Sequence, residues 1–286
     1  MKIRSGRYRH YKGKDYEVLG TTRHSETLEE LVLYKALYGE QGLWVRPMEM
    51  FEGTVEVDGQ EVPRFAYQGL SQYDTLLFDL DGTITDSQHG IINSVQYALD
   101  KFNITEDDVV KLKKFIGPPL VDSFRDFYGF TESQAKQAVV YYREYFTTKG
   151  IYENFVYEGI PALLAELQRA GKQLVLATSK PTSFSEKILE YFDLHKYFTL
   201  VVGSNLDGTR INKAEIIQYI LSEMPGKDKR NFLMIGDREH DCRGARECGI
   251  DCAALLYGYG TPSELQAEGP TYLIGSVAEL ALLLGT

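Results

Sequence analysis

The sequence predicts an α/β protein: a parallel sheet interrupted by an inserted helical segment and preceded by a small, mostly-β domain. Three observations carry this. From Thr75 onward, short apolar strands alternate with amphipathic helices, the pattern of βαβ units and a parallel sheet. Between Ser87 and Glu158 that rhythm stops, and helical periodicities replace it. Residues 1–70 instead carry aromatic and β-branched runs broken by turn signals.

Within 1–70, the runs at 55–57 and 62–65 flank Asp58-Gly59, a hairpin signal. Residues 27–38 read as one helix, with Ser25 as N-cap and Gly39 as terminator. The polar stretch 68–74 reads as a linker, which divides the chain into domains 1–70 and 71–286.

In the second domain we expect strands at 76–79, 173–178, 199–202, 232–236 and 252–256. Helices should start near Ile160, Pro181, Lys213 and Glu239, with Pro161 and Pro181 tolerated in first turns. Ile91, Ile92, Val95 and Leu99 follow a period near 3.6, while Gly117-Pro118-Pro119 and Gly129 punctuate the same stretch. This gives a core of 71–86 and 159–286 with a helical insertion at 87–158.

Composition bounds the function. A chain of 286 residues with 43 % hydrophobic and 25 % charged side chains buries a core without staples. No apolar run approaches the roughly 20 residues that span a bilayer, and no signal-peptide pattern opens the chain. Three cysteines, Cys242, Cys248 and Cys252, lack paired zinc-knuckle spacing and read as small buried apolar residues. Together these features predict a reducing, cytoplasmic setting.

The net charge is −10. Residues 1–70 hold 10 basic and 11 acidic side chains, and residues 71–286 hold 21 and 30. An acidic body argues against a nucleic-acid backbone as main partner, yet leaves room for a locally positive pocket that takes a small anion. The first 14 residues carry six basic side chains and no acid, with Tyr8 and Tyr11 among them. An anion- or nucleic-acid-binding arm is one reading; a frayed, solvated terminus is the plainer one.

The chemistry concentrates at strand ends. Leu76-Leu77-Phe78-Asp79-Leu80-Asp81-Gly82-Thr83 is an apolar strand running into two carboxylates. Strand ends of a parallel sheet are where such folds bind ligands. Two acids there are costly unless a cation lies between them or one keeps a proton. A plain turn at Asp81-Gly82 is the competing reading. A second apolar strand ends in Gly236-Asp237, and Asp241 follows one helical turn on. These acids suit Mg²⁺, which takes hard oxygen ligands, although Asp237 alone also reads as an N-cap.

The third strand ends in Thr178-Ser179-Lys180-Pro181. A strand-to-helix junction binds phosphate through free N–H groups; capping hydroxyls and a solvated Lys180 are the alternatives. Lys213 opens a helix, where the dipole disfavours a cation. A nearby anion would explain it.

Taken in order, D-L-D-G-T, h-h-T-S, an isolated lysine and G-D-R-E-H-D resemble the haloacid dehalogenase-like superfamily over residues 74–284. Gly117-Pro118-Pro119-Leu120, residues 203–208 and residues 236–241 resemble its phosphoglycolate phosphatase and bacterial 5'-nucleotidase-like branch. The resemblance implies a Rossmann-like sheet with a mobile helical cap. It implies a Mg²⁺-dependent phosphomonoesterase acting on a small phosphorylated metabolite, phosphoglycolate first. Asp79 would be the nucleophile and Asp81 the general acid and base. Thr178, Ser179 and Lys213 would hold the phosphoryl group. Asp79, Asp81, Asp237 and Asp241 would form the metal site. Arg125, Lys180 and Arg238 are the expected substrate-selecting residues.

A nucleotidase, a sugar-phosphate phosphatase and a mutase of the same superfamily remain alternatives. A regulatory protein using the domain as a sensor is the alternative of another class. Residues 8–13 and 43–47 resemble a small bacterial domain of unknown function.

Overall fold

A computed structural model describes residues 3, 6–40, 42–68 and 73–285. The chain divides into two compact units, Met1–Gln72 with Leu280–Thr286, and Tyr73–Glu279. Most of the linker expected at 68–74 lies outside the described residues, as do Lys2 and Arg4 of the basic N-terminus.

The first unit is built on an antiparallel sheet. Its strands are β1 (Gly6–His10), β2 (Asp15–Arg23), β3 (Glu30–Ala36) and β4 (Leu43–Pro47). After helix α1 (Met48–Glu52), β5 (Thr54–Val57) and β6 (Gln60–Pro63) form the expected hairpin, and β7 (Phe65–Tyr67) returns to the sheet. The order is β4-β3-β2-β1-β7. Asp58 and Gly59 both have positive φ, 52° and 78°, as a tight two-residue hairpin turn requires. Tyr8, Val18, Val32, Tyr34, Phe51 and Phe65 fill the core.

Two expectations fail here. Residues 27–38 are not a helix: Val32, Tyr34 and Ala36 are buried while Leu33 and Lys35 are less so, the two-residue period of β3. Leu28 has φ 59° and breaks any helix before it starts. The N-terminal segment is not frayed from Gly6 onward, because β1 pairs with both β2 and β7.

The second unit opens with β8 (Thr75–Phe78), followed by the short β9 (Thr85–Asp86). The insertion holds α2 (Gln88–Asp100), α3 (Val109–Lys113), α4 (Leu120–Tyr128) and α5 (Glu132–Phe146). It returns through β10 (Phe155–Val156), which pairs antiparallel with β9: Phe155 opposite Asp86 and Val156 opposite Thr85. Thereafter come α6 (Ile160–Arg169), β11 (Gln173–Pro181), α7 (Thr182–Tyr191), β12 (Leu200–Ser204) and α8 (Lys213–Glu223). The chain ends with β13 (Phe232–Gly236), α9 (Glu239–Cys248), β14 (Asp251–Leu255), α10 (Pro262–Ala267), β15 (Tyr272–Ile274) and α11 (Val277–Leu284).

The six strands form one parallel sheet, β12-β11-β8-β13-β14-β15. β15 has three residues, too few for an apolar run to announce it. Strand order reverses at β8: the chain first builds outward through β11 and β12, then crosses to β13. The crevice at such a reversal is the natural ligand site. Phe78 pairs with Leu176 of β11 and Ile235 of β13, so these three positions lie level, and β11 runs on to Pro181. Leu77, Val175, Met234, Ile216 and Ile217 pack beneath one face together with all three cysteines, which are free and buried. No described helix is long and apolar enough to cross a membrane.

Candidate active site

Asp79 leaves β8 with its backbone N–H donating to Ile235 O at 2.9 Å, so the sheet itself fixes it. The chain then tightens: Leu80 O accepts from the N–H groups of Thr83, Ile84 and Thr85. Gly82 sits inside this turn at φ 85°. A Cβ there would be strained by conformation and would run into the Asp237 carboxylate. The D-L-D-G-T run thus needs its glycine so that two strand ends can approach.

Asp237 is fully buried beyond β13. Its carboxylate accepts from Thr83 Oγ1 at 3.1 Å and from Tyr259 N–H at 2.7 Å. It is not the cap of α9: Arg238 holds that position, and Asp241 Oδ2 accepts from Arg238 N–H at 3.0 Å. Lys213, the first residue of α8, is buried and reaches three acceptors: Asp241 Oδ1 at 2.7 Å, Ala177 O at 2.8 Å and Asp79 Oδ1 at 3.0 Å. An Asn212–Glu215 capping box holds that helix start in place.

The electrostatics follow from crowding. Burial pushes the Asp79 carboxyl up to about 6; Lys213 opposes the rise, and Asp241 and Asp81 add to it. Burial, then Asp241 and Asp79, hold Asp237 well above the usual carboxylate range. Lys213 is held charged by Asp241 and Asp79 against its own burial. Asp79, Asp237 and Asp241 each bring a carboxylate oxygen within 4.8 Å of the others. Among the described residues Lys213 is ion-paired with two of these buried acids, Asp79 and Asp241, and Asp237 has no ion pair. Hard oxygen donors with a deficit of positive charge fit a divalent cation such as Mg²⁺.

Lys180 overturns the solvated-charge alternative. It lies in the last residues of β11 with its side chain buried, and its Nζ lies 2.8 Å from Asp81 Oδ2. The ring of Phe146, from α5, sits 4.7 Å from that ammonium. Thr178 and Ser179 precede it in the same strand. Neither caps α7, which starts at Thr182 with no side-chain cap bond; Thr178 Oγ1 accepts from Lys180 N–H at 3.3 Å.

A cavity of about 440 Å³ opens over these groups. The core supplies Asp79, Asp81, Thr178, Ser179, Lys180 and Lys213; the insertion adds Phe115, Val139, Tyr142, Arg143 and Phe146. The remaining two expected residues divide. Arg238 lines the cavity, but its guanidinium is held by Glu264, Glu239 and the carbonyl of Ile116. Arg125 does not line it: the side chain is half-exposed on α4 beside Asp122 and Glu132. Arg143 was missed by sequence reading. Its only signal is its place among the aromatics of α5.

Residues 76–255, with this site inside them, match the family described as haloacid dehalogenase-like hydrolase. The chain belongs to the haloacid dehalogenase-like hydrolases. Residues 6–67 match a family described as a protein of unknown function, DUF1653. This hydrolase is 45 % identical over 213 residues to a 5'-nucleotidase of Pseudomonas aeruginosa, covering 74 % of this chain and 96 % of that one. It is 34 % identical to the tyrosine-protein kinase PtkA of Mycobacterium tuberculosis, over 73 % of this chain and 72 % of that one. Among solved structures, a predicted phosphatase from Clostridium acetobutylicum is 48 % identical with a TM-score of 0.70, covering 73 % of this chain and 96 % of that one.

Proposed function

We propose that this haloacid dehalogenase-like phosphatase is a magnesium-dependent phosphomonoesterase that works through an aspartyl-phosphate on Asp79. The observation that carries the reading is the buried Asp79 carboxylate, 3.0 Å from Lys213 at the end of the central strand and open to the cavity.

An Asp79 oxygen attacks phosphorus, and the bond from phosphorus to the leaving oxygen breaks. Asp81 gives that oxygen a proton. Thr178 Oγ1 and the Ser179 N–H donate to phosphoryl oxygens, and Lys213 offsets the charge on Asp79 and the phosphoryl group. Asp81 then takes a proton from water, which attacks phosphorus and releases inorganic phosphate from Asp79. Asp79, Asp237, Asp241 and the Asp81 carbonyl would hold Mg²⁺. When bound, it supplies positive charge against the carboxylates and the phosphate.

The substrate is a small phosphorylated metabolite. Arg125, one of the expected substrate-selecting residues, stands off the cavity and offers no partner there to a carboxylate such as that of phosphoglycolate. The aromatic lining and the 45 % identical relative named a 5'-nucleotidase favour a nucleoside monophosphate. Buried free cysteines fit a cytoplasmic enzyme.

The test is Asp79→Asn assayed on phenyl phosphate with Mg²⁺. Turnover should fall by at least a thousandfold in a folded protein, and wild-type turnover should vanish in excess chelator. Activity within tenfold of wild type in Asp79→Asn would overturn the mechanism.

A further inference from the structure

Five lysine or arginine side chains line the cavity: Lys136, Arg143, Lys180, Lys213 and Arg238. Four are matched by carboxylates. Lys136 lies 3.0 Å from Glu132, Lys180 2.8 Å from Asp81, Lys213 within 3.0 Å of Asp79 and Asp241, and Arg238 3.0 Å from Glu264. Arg143 is the exception: the residue is half-buried, and among the described residues its guanidinium has no ion pair and no side-chain hydrogen bond.

None of its nitrogens is buried without a partner, so the guanidinium keeps access to solvent and is free to meet an acceptor on the substrate. Its surroundings say which kind. Val139, Tyr142, Arg143 and Phe146 follow the i, i+3, i+4, i+7 spacing of one helix face, and all four line the cavity with Phe115 and Phe184. Phe146 marks the end near the reacting groups, because it covers the ammonium paired with Asp81. Arg143 lies about one turn before Phe146 along α5, a rise of roughly 5 Å.

We infer that Arg143 is the specificity-determining residue of this site, and that its fork binds the acceptor edge of a planar base. The substrate class is then a nucleoside monophosphate, with its ring among Phe115, Tyr142, Phe146 and Phe184. The inference rests on the phosphatase reading. Length separates the two substrate chemistries. A two-carbon acid such as phosphoglycolate carries its carboxylate beside the phosphoryl group and has no ring to place among the aromatics. A nucleoside reaches further from its phosphate and brings paired acceptors suited to a planar fork. Aromatic walls then stack the ring.

The experiment measures kcat/KM for the four nucleoside 5'-monophosphates, phosphoglycolate and phenyl phosphate. The proteins are the full chain and its Arg143→Met, Arg143→Lys and Arg125→Ala variants. Met keeps the aliphatic stem in its packing, and Lys keeps the charge but loses the fork. The ratio of the best nucleotide to phenyl phosphate should fall at least tenfold in Arg143→Met, mainly through KM, and by a smaller factor in Arg143→Lys. It should hold in Arg125→Ala.

A ratio within twofold of wild type in Arg143→Met would overturn the inference. So would a selective loss on phosphoglycolate, or an equal loss on every substrate. Asp79→Asn separates the two levels: if it is inactive while Arg143→Met keeps the wild-type ratio, the phosphatase reading stands and this inference alone falls.

Discussion

Lys180 and Asp81 form a buried ion pair, Nζ to Oδ2 at 2.8 Å, roofed by the Phe146 ring of the cap helix α5. The pair joins the loop after β8 to the end of β11. It leaves Asp81 Oδ1 buried with no hydrogen-bond partner among the described residues. One oxygen is thus anchored and the other remains for substrate. Lys180→Met should strand a buried carboxylate, costing about 1–3 kcal/mol of stability, and should lower kcat at least tenfold as Asp81 loses its orientation. Adding Asp81→Asn should recover most of the stability and none of the turnover. Additive stability losses in the double variant, measured by denaturant unfolding, would mean that the two residues do not act as a pair.

The crowding of Asp79, Asp237 and Asp241 predicts a protein stabilised by divalent cations. Wild-type Tm should rise on adding MgCl2; saturation at a hundred times Kd corresponds to about 2.7 kcal/mol. Asp237→Asn removes one of the repelling charges. It should raise Tm in chelator, abolish the Mg²⁺-dependent rise and reduce turnover by at least a hundredfold. A variant with a lower Tm in chelator and an intact Mg²⁺ response would contradict the placement of Asp237 in the metal site.

The cap has its own acid-sensitive contact. Glu106 accepts from Lys111 Nζ at 2.8 Å, the Asp108 N–H at 3.0 Å and the Tyr128 hydroxyl at 3.0 Å. Lys111, then the Asp108 N–H, and also Tyr128 lower its carboxyl to about 2 against partial burial. The folded-state pKa lies below the unfolded value near 4.3. This contribution is therefore complete above the unfolded value and disappears as pH falls through the folded one. Glu106→Gln should be less stable than wild type at pH 7, and the difference should close between about pH 4.3 and pH 2. Thermal unfolding of both proteins across that range checks the sign; a gap that widens on acidification would be the wrong one.

The haloacid dehalogenase-like match, residues 76–255, lies wholly within Tyr73–Glu279. A fragment beginning at Tyr73 should therefore hydrolyse phenyl phosphate within threefold of the full chain. The last turn of α11, with buried Leu280 and Leu284, groups with the N-terminal unit instead. The fragment should accordingly be the less soluble protein. A folded fragment without activity would show that residues 1–72 take part in the reaction.

The core of the second unit was legible because its strands are buried on both faces. Runs such as Leu76-Leu77-Phe78 and Phe232-Leu233-Met234-Ile235 have no polar residue until the site begins. The acids that end them and Lys213 could be read as misfits: charges where burial or the helix dipole disfavours them. Residues 27–38 were not legible, because Leu31, Tyr34 and Tyr38 fit a helical period while Val32, Tyr34 and Ala36 fit a strand. Pairing with the neighbouring strands β2 and β4 on both edges decided it. Lys180 and Arg143 fall between these cases. Each is a cation at an ordinary position, and only the fold reveals that one is buried on an acid while the other lacks one.

The ends of the cap meet at β9 and β10, two residues each, paired antiparallel. Antiparallel partners lie about 5 Å apart, so the chain departs from the core and returns to it at nearly one point. An insertion with adjoining ends behaves as a removable cartridge. Helices there can be lengthened, shortened or replaced while the register of β8, β11 and β13 stays untouched. Selection could therefore change what this scaffold accepts without disturbing how it reacts, and a laboratory graft between residues 86 and 155 would have the same freedom.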